Sequence, residues 1–437
     1  RGGQTSHAAL VARSLGIPCI VGCEAISIDM IDERFTVGEH VVNKDTVITI
    51  DGTSGNIYLG EAPLIEPSLH EKYLHEFLKM ADKFARLQVW ANSDTPEEAR
   101  QARELGAKGI GLCRTEHMFR EADCLLIMQQ VIIAERKEDR VDALDKLVKL
   151  QKGDFMEIFK VMSGLPVIVR LLDPPLNEFL PKEHEVTKKL DLLRAEGKGE
   201  SDEAKKLELL LKRAEALKES NPMLGFRGCR VGVLYPEIYE AQVKAISEAA
   251  CELVKQGIDV NVKIMVPLVA TGQEMCMLRA NIEKVVAETA GPFGMNLHCK
   301  IGTMIELPRA AIVADEIAEY ADFFSFGTND LTQTTLGVSR DDAEGRFLAA
   351  YVQLGIFMDD PFRTIDRKGV GTLMKIAVEG GRGVKKDLEL GICGEHGGDP
   401  SSIAFCNSVG LDYVSCSSMR IPVARLSAAH ASLGLLN

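Results

Sequence analysis

The stretch HCKIGTMIELPRAAIVADEIAEYADFFSFGTND, residues 298–330, holds the repeating unit of the chain. Two short apolar runs, 298–306 and 322–330, flank a segment at 309–321 with apolar residues at helical spacing. Strand, helix, strand is the pattern of a right-handed crossover between parallel strands. Working outward, the unit recurs. Further strands are expected at 87–93, 108–114, 166–173, 262–269 and 388–395, with helical runs at 95–105, 122–163, 236–257, 273–290, 341–354 and 367–380. An eighth strand, short and weakly marked, is expected near GFRGCR (225–230). Eight units from residue 87 to the end predict an α/β protein built on a (β/α)8 TIM barrel. Without the weak strand, the pattern would also permit an open doubly wound sheet.

Two regions fall outside the repeat. Residues 182–220 form an insertion of two charged, Leu-punctuated arms around Gly197-Lys198-Gly199, read as an exposed helical hairpin. Residues 1–62 are Gly-rich, with a helix expected from Ser6 to Leu15 and strands at 18–21, 35–37, 46–50 and 56–59. A Pro-marked linker spans 63–86 and carries an amphipathic helix from about 68 to 85, and the barrel occupies 87–437. The chain opens on RGGQTSHAALVAR, without Met and as if in mid-domain, so it reads as a fragment of a longer protein. A domain cut in this way has open strand edges and a reduced core, so residues 1–60 are expected to fold poorly alone.

Composition narrows the function. The 437 residues carry 51 Lys and Arg against 64 Asp and Glu, a formal net charge of −13. That balance argues against a nucleic-acid or anionic-membrane binder while leaving room for a local basic pocket. No apolar run approaches the roughly 18 residues that cross a bilayer. The eleven cysteines form no CxxC pair, and an odd, scattered set fits a reducing compartment, cytoplasm or organelle, better than a disulfide scaffold.

In such a barrel the chemistry collects at the carboxyl ends of the strands. Those ends carry Arg114, Arg170, Arg227, Glu306, Asn329 with Asp330, and Cys393. A guanidinium fork matches carboxylate and phosphate oxygens, and two carboxylates supply hard oxygen ligands for Mg²⁺. Taken singly, each arginine could be a rim ion pair and each carboxylate a helix cap. Together they point to an anionic substrate held with a divalent metal. Cys393 sits in the glycine-rich GICGEHGGDP (391–400), where a thiol could move a proton at carbon, or attack as a nucleophile if its pKa were lowered. Glu395 and His396 are candidates to orient it. His7, at an expected helix N-terminus, sits where the helix dipole disfavours imidazolium and favours an anion, as a phosphohistidine would be.

Seven segments now carry a resemblance: GGQTSHAALVAR, GIGLCRTEHMF, VIVRLLDPPLNEFLP, NPMLGFRGCR, GTMIELPRA, FFSFGTNDLTQTTLGVSRDD and GICGEHGGDP. In this order they resemble the phosphoenolpyruvate (PEP)-utilising family, and within it the carboxyl-terminal half of the pyruvate, phosphate dikinases. The resemblance implies a phosphohistidine carrier domain that swivels between the barrel and an ATP-grasp domain of the full-length chain. His7 resembles the phosphoryl carrier. Arg114, Arg170 and Arg227 resemble the arginines around the phosphoryl group and pyruvate oxygens, and Arg340 a further family arginine. Glu306 and Asp330 resemble the Mg²⁺ ligands. Gly327, Thr328 and Asn329 match a substrate-contacting turn, and Cys393 the acid/base at the methyl carbon. Thr5 matches a threonine phosphorylated in plant relatives. A homodimer or homotetramer is implied. PEP synthase and the phosphotransferase Enzyme I share this plan, and a barrel remnant without catalysis is the third alternative.

Overall fold

The structure is a computed structural model that describes residues 12, 17–23, 25–30, 32–52, 54–64, 72–120, 122–134 and 136–436. The helix expected at 6–15 therefore lies largely outside the described residues. The first region is two small antiparallel sheets. Strands β1 (Ile26–Asp29), β2 (Arg34–Val37) and β3 (His40–Asn43) form a meander, and β4 (Ile48–Asp51) pairs with β5 (Asn56–Leu59). The β2–β3 turn is two residues, Gly38-Glu39, and Gly38 takes the left-handed φ of 57° that such a turn needs. Residues 18–21 form no strand, while β1 and β3 fall where none was expected. Four-residue strands carry too few alternations for periodicity to locate them. Ile28, Met30, Val41, Tyr58 and Leu59 stay exposed, so these sheets cover little of each other's apolar surface.

Helix Lys72–Asp82 leads into the barrel and docks on its final helix, Ile421–Ser432. Arg425 on that helix is buried and reaches Asp82 Oδ2 at 2.7 Å.

Eight parallel strands then close on themselves: β6 (Gln88–Asn92), β7 (Ile110–Arg114), β8 (Pro166–Arg170), β9 (Asn261–Val266), β10 (Lys300–Ile305), β11 (Phe323–Phe326), β12 (Glu389–Ile392) and β13 (Tyr413–Ser417). Seven fall where the apolar runs were read. The eighth does not. It is β13, pairing with both β12 and β6, whereas 225–230 is a turn leading into helix Cys229–Leu234. Gly228 has a φ of 59° there, which breaks the extended run. The open-sheet alternative is excluded by closure.

Inside the barrel, Trp90, Leu112, Ile168, Met265, Met304, Phe323, Cys393 and Tyr413 pack as one buried cluster. Gly391 makes room for it: a Cβ there would sit 2.0 Å from the Tyr413 ring. Between β8 and β9 the chain inserts helices Glu183–Ala195 and Asp202–Ala216, which pack together. Ser201 caps the second by accepting the Ala204 N–H, and Val186, Leu190, Ala204 and Leu210 are buried. The insertion follows the carboxyl end of β8, and the segment after it, residues 220–223, borders one cleft with Asp173 and Asp330.

Candidate active site

Register puts Arg114 at the end of β7 directly beside Arg170 at the end of β8. Two guanidiniums so placed would repel, and carboxylates divide them. Asp94, just past β6, accepts the Arg114 backbone N–H on Oδ1 at 2.7 Å and the Arg114 Nη1 on Oδ2 at 3.1 Å, and His117 Nδ1 lies 2.6 Å from the same Oδ2. Burial would raise the Asp94 carboxyl, but His117 and Arg114 hold it below the usual range. Arg170 donates to Glu116 and sits 3.0 Å from Asp173 Oδ2. Arg227 Nη2 donates to the same Asp173 oxygen at 2.6 Å and to Asp330 Oδ2 at 3.0 Å. Asp173 is thus the bridge between two arginines. Burial opposes its charge, yet Arg170 and Arg227 hold it low.

Glu306 closes the ring from β10. It is 2% exposed, and its Oε1 accepts the Leu268 N–H at 2.7 Å. Leu268 adopts a φ of 61°, a conformation that costs a branched side chain about 1–2 kcal/mol and that aims its N–H at this carboxylate. Gly327 lies against the other oxygen: a Cβ at 327 would fall 2.8 Å from Glu306 Oε2 and 2.6 Å from Met304 Sδ. Any larger residue there would have to displace both side chains from their places at the mouth. Burial pushes the Glu306 carboxyl well above its ordinary range, and the charges of Asp173 and Asp330 push it further.

Cys393 follows β12, the seventh barrel strand rather than the last. Its backbone N–H donates to Phe326 O at 3.2 Å, and Asn92 Nδ2 donates to its carbonyl at 3.0 Å. Burial pushes the thiol up to about 11, against the pull of Ser325 and Arg170. A nucleophilic thiol would need a lowered pKa, and burial works against that. His396 does not orient Cys393 either. Its Nδ1 meets Thr328 Oγ1 at 2.7 Å and its Nε2 meets Pro361 O at 2.9 Å. The Glu395 N–H reaches Asn329 Oδ1 at 3.4 Å, joining the two loops.

Arg170, Arg227, Glu306, Asp330 and Cys393 are therefore brought to one mouth, with Arg114 alongside. Arg340 stands one step back. Its Nε donates to Glu344 at 2.7 Å, and only its backbone N–H reaches inward, to Gln333, which in turn donates to Asp330 Oδ1 at 3.1 Å. His7 and Thr5 lie outside the described residues. Asp94, Glu116 and Asp173 were missed by sequence reading, although Asp173 follows Arg170 by three residues at a strand end. A cleft of about 500 Å³ opens beside the ring, bordered by Asp173, Glu178, Arg227, Asp330 and Gln333.

Among the described residues, no group of three His, Cys, Asp or Glu side chains is close enough to cage a metal. Three arginines, however, face five carboxylates: Asp94, Glu116, Asp173, Glu306 and Asp330. With Glu306 ionised the carboxylates exceed the arginines by two, and a cation at the mouth would favour that ionised form. Mg²⁺ is commonly held by one or two carboxylates plus water and substrate oxygens, so Glu306 and Asp330 fit it without a full cage.

No helix among the described residues is long and apolar enough to cross a membrane, and all eleven cysteines are free thiols. The family model "PEP-utilising enzyme, PEP-binding domain" matches residues 69–433, and "PEP-utilising enzyme, mobile domain" matches 1–55. The chain is 52% identical over 438 residues to a pyruvate, phosphate dikinase of Rhizobium meliloti, covering 99% of this chain and 47% of the relative. It is 48% identical to the pyruvate, phosphate dikinase of Entamoeba histolytica (99% and 49%) and 50% identical to the chloroplastic pyruvate, phosphate dikinase 1 of Arabidopsis thaliana (98% and 44%). The chain spans about half the length of these curated relatives. It belongs to the PEP-utilising enzyme family, and within that family it matches the pyruvate, phosphate dikinases over nearly its whole length.

Proposed function

We propose that this chain carries the pyruvate/PEP half-reaction of a pyruvate, phosphate dikinase: ATP + phosphate + pyruvate ⇌ AMP + diphosphate + PEP. The observation that carries the reading is the convergence of Arg170, Arg227, Glu306, Asp330 and Cys393 at one barrel mouth. The resemblance assigns the ATP-dependent half to an ATP-grasp region of the full-length protein, with His7 as the phosphoryl carrier between them.

The residues divide the work by charge and reach. Arg170 and Arg227 bind the phosphoryl and carboxylate oxygens through paired N–H donors, with Arg114 alongside, and Asp173 fixes the angle between the two forks. Helix Thr328–Leu336 starts at the Gly327 turn, so its first backbone N–H groups are available to an anionic carboxylate. Glu306 and Asp330 would hold Mg²⁺, whose positive charge would polarise the pyruvate carbonyl and offset the charge of its enolate. As PEP is consumed, the phosphoryl group passes to His7, and Cys393, protonated at neutral pH, gives its proton to the methylene carbon of the enolate left behind and becomes the thiolate. In the reverse direction its thiolate takes a methyl proton, and the enolate oxygen attacks the phosphorus of phospho-His7. A phosphate on Thr5 would repel the incoming phosphoryl group two residues away.

The test is nucleotide dependence in the full-length protein. ATP formation from PEP that requires both AMP and pyrophosphate supports the dikinase. Formation from AMP and phosphate assigns it to the synthase. Phosphoryl transfer from PEP to a small carrier protein without nucleotide assigns it to Enzyme I.

A further inference from the structure

His396 is fully buried, touches neither Cys393 nor the carboxylate ring, and has no part in the mechanism above. Its two nitrogens nevertheless join three separate loops. Nε2 lies 2.9 Å from the Pro361 carbonyl, which can only accept, so Nε2 carries the ring hydrogen. Burial holds the imidazole below its usual pKa, so the ring is neutral and Nδ1 is a bare acceptor. The partner of Nδ1 is Thr328 Oγ1 at 2.7 Å, so Thr328 must donate. That bond fixes both the threonine rotamer and the direction of its hydroxyl hydrogen, toward His396. Gly394 makes the contact possible, because a Cβ there would fall 2.0 Å from Thr328 Oγ1.

We infer that His396 is a positioning residue that sets the substrate-binding turn at Thr328, Asn329 and Asp330 against the Cys393 loop, through a fixed Nε2–H tautomer. The inference deepens the functional reading and rests on it. Thr328 begins the helix whose free N–H groups face the substrate carboxylate, and Asp330 follows two residues later. If the His396 bond is lost, Thr328 can rotate, and the turn and the acid/base loop lose their fixed spacing. Substrate affinity then falls while folding persists.

Two replacements separate the two bonds. His396→Gln reproduces an Nε2–H donor toward Pro361 and removes the acceptor for Thr328. His396→Asn keeps an acceptor near the Nδ1 position and gives up the bond to Pro361. In the full-length protein, His396→Gln and Thr328→Val are each expected to raise the pyruvate KM about tenfold, and the double variant no further than either alone. His396→Asn is expected to lower the melting temperature while the KM rises less than threefold. Additive KM effects in the double variant, or a larger KM rise for His396→Asn than for His396→Gln, would overturn the inference. Nitrogen-15 NMR of histidine-labelled chain reads the tautomer without any turnover. A protonated Nε2 and an unprotonated Nδ1 are expected for His396, and an Nδ1–H tautomer or an imidazolium at neutral pH sinks the proposal whatever the enzyme's activity. Failure of nucleotide-dependent turnover with the expected tautomer intact would instead count against the dikinase reading alone.

Discussion

The two ends of the barrel treat buried charge in opposite ways. At the amino-terminal floor, Lys263 is buried and paired, although burial outweighs its partner and holds its pKa below the usual range: Glu389 lies 2.5 Å away, the Trp90 ring 5.0 Å away, and Trp90 stacks on Tyr413 at 4.0 Å. Lys300 adds a second cation to Glu389 at 3.3 Å. At the mouth, carboxylates outnumber arginines, and Arg170 Nε, Arg227 Nε, Asp173 Oδ1 and Glu116 Oε2 are buried without a protein hydrogen-bond partner. A buried polar atom without a partner costs about 1–3 kcal/mol. The charged groups of the floor answer one another, although the buried Tyr413 hydroxyl has no protein partner, while the charged groups of the mouth keep four polar atoms for a ligand to meet. That difference separates a structural ion pair from a site more reliably than the identity of the residues.

The largest effect should come from the mouth. Cys393→Ala is expected to slow exchange of the pyruvate methyl protons at least about 100-fold with little change in thermal melting; equal exchange in mutant and parent would remove the thiol from the reaction. Arg227→Met should weaken PEP binding in calorimetry by roughly 30-fold, about 2 kcal/mol, because Asp173 and Asp330 both lose their shared cation. Unchanged affinity would make Arg227 a floor-like residue. The floor should answer in the other currency. Lys263→Met is expected to cost about 1–2 kcal/mol in denaturant unfolding while the pyruvate KM stays within twofold, and a catalytic defect at normal stability would erase the contrast.

The smallest effect tests the unfinished charge itself. Burial raises the Glu306 carboxyl, so between its unfolded and folded pKa values the native state holds a proton that the unfolded chain releases. Stability from this group is full below the unfolded value near 4.5 and is lost as pH rises through the folded value. Glu306→Gln removes that loss. In the metal-free protein it should melt higher at pH 7, by about 1 °C per kcal/mol regained, and no higher at pH 4. Mg²⁺ binding to the parent should release a proton, visible as heats that change with buffer. An equal melting shift at both pH values would show that Glu306 is not strained by charge.

Much of this was legible because it is local. Apolar runs alternating with 3.6-residue periodicity marked seven barrel strands, and the residues closing those runs marked Arg114, Arg170, Glu306, Asp330 and Cys393 as neighbours-to-be. Arg227 was found for the wrong reason. It was assigned to a strand end, but it sits in a turn, aimed by the left-handed Gly228 toward Asp173 and Asp330. The true eighth strand, YVSCS at 413–417, was hidden because Ser415 and Ser417 interrupt its apolar character, and only pairing with β6 and β12 shows that it closes the barrel.

The sequence by itself determined the alternation of strand and helix, and the identity of the polar residues that end the strands, because both follow from side-chain period and chain direction. Only the tertiary structure decided that Asp173 bridges two arginines, that burial raises Glu306 and Cys393, and that His396 holds Thr328. Each of these depends on distance between loops far apart in the chain, and on how much water closure of the barrel removes from around a charge.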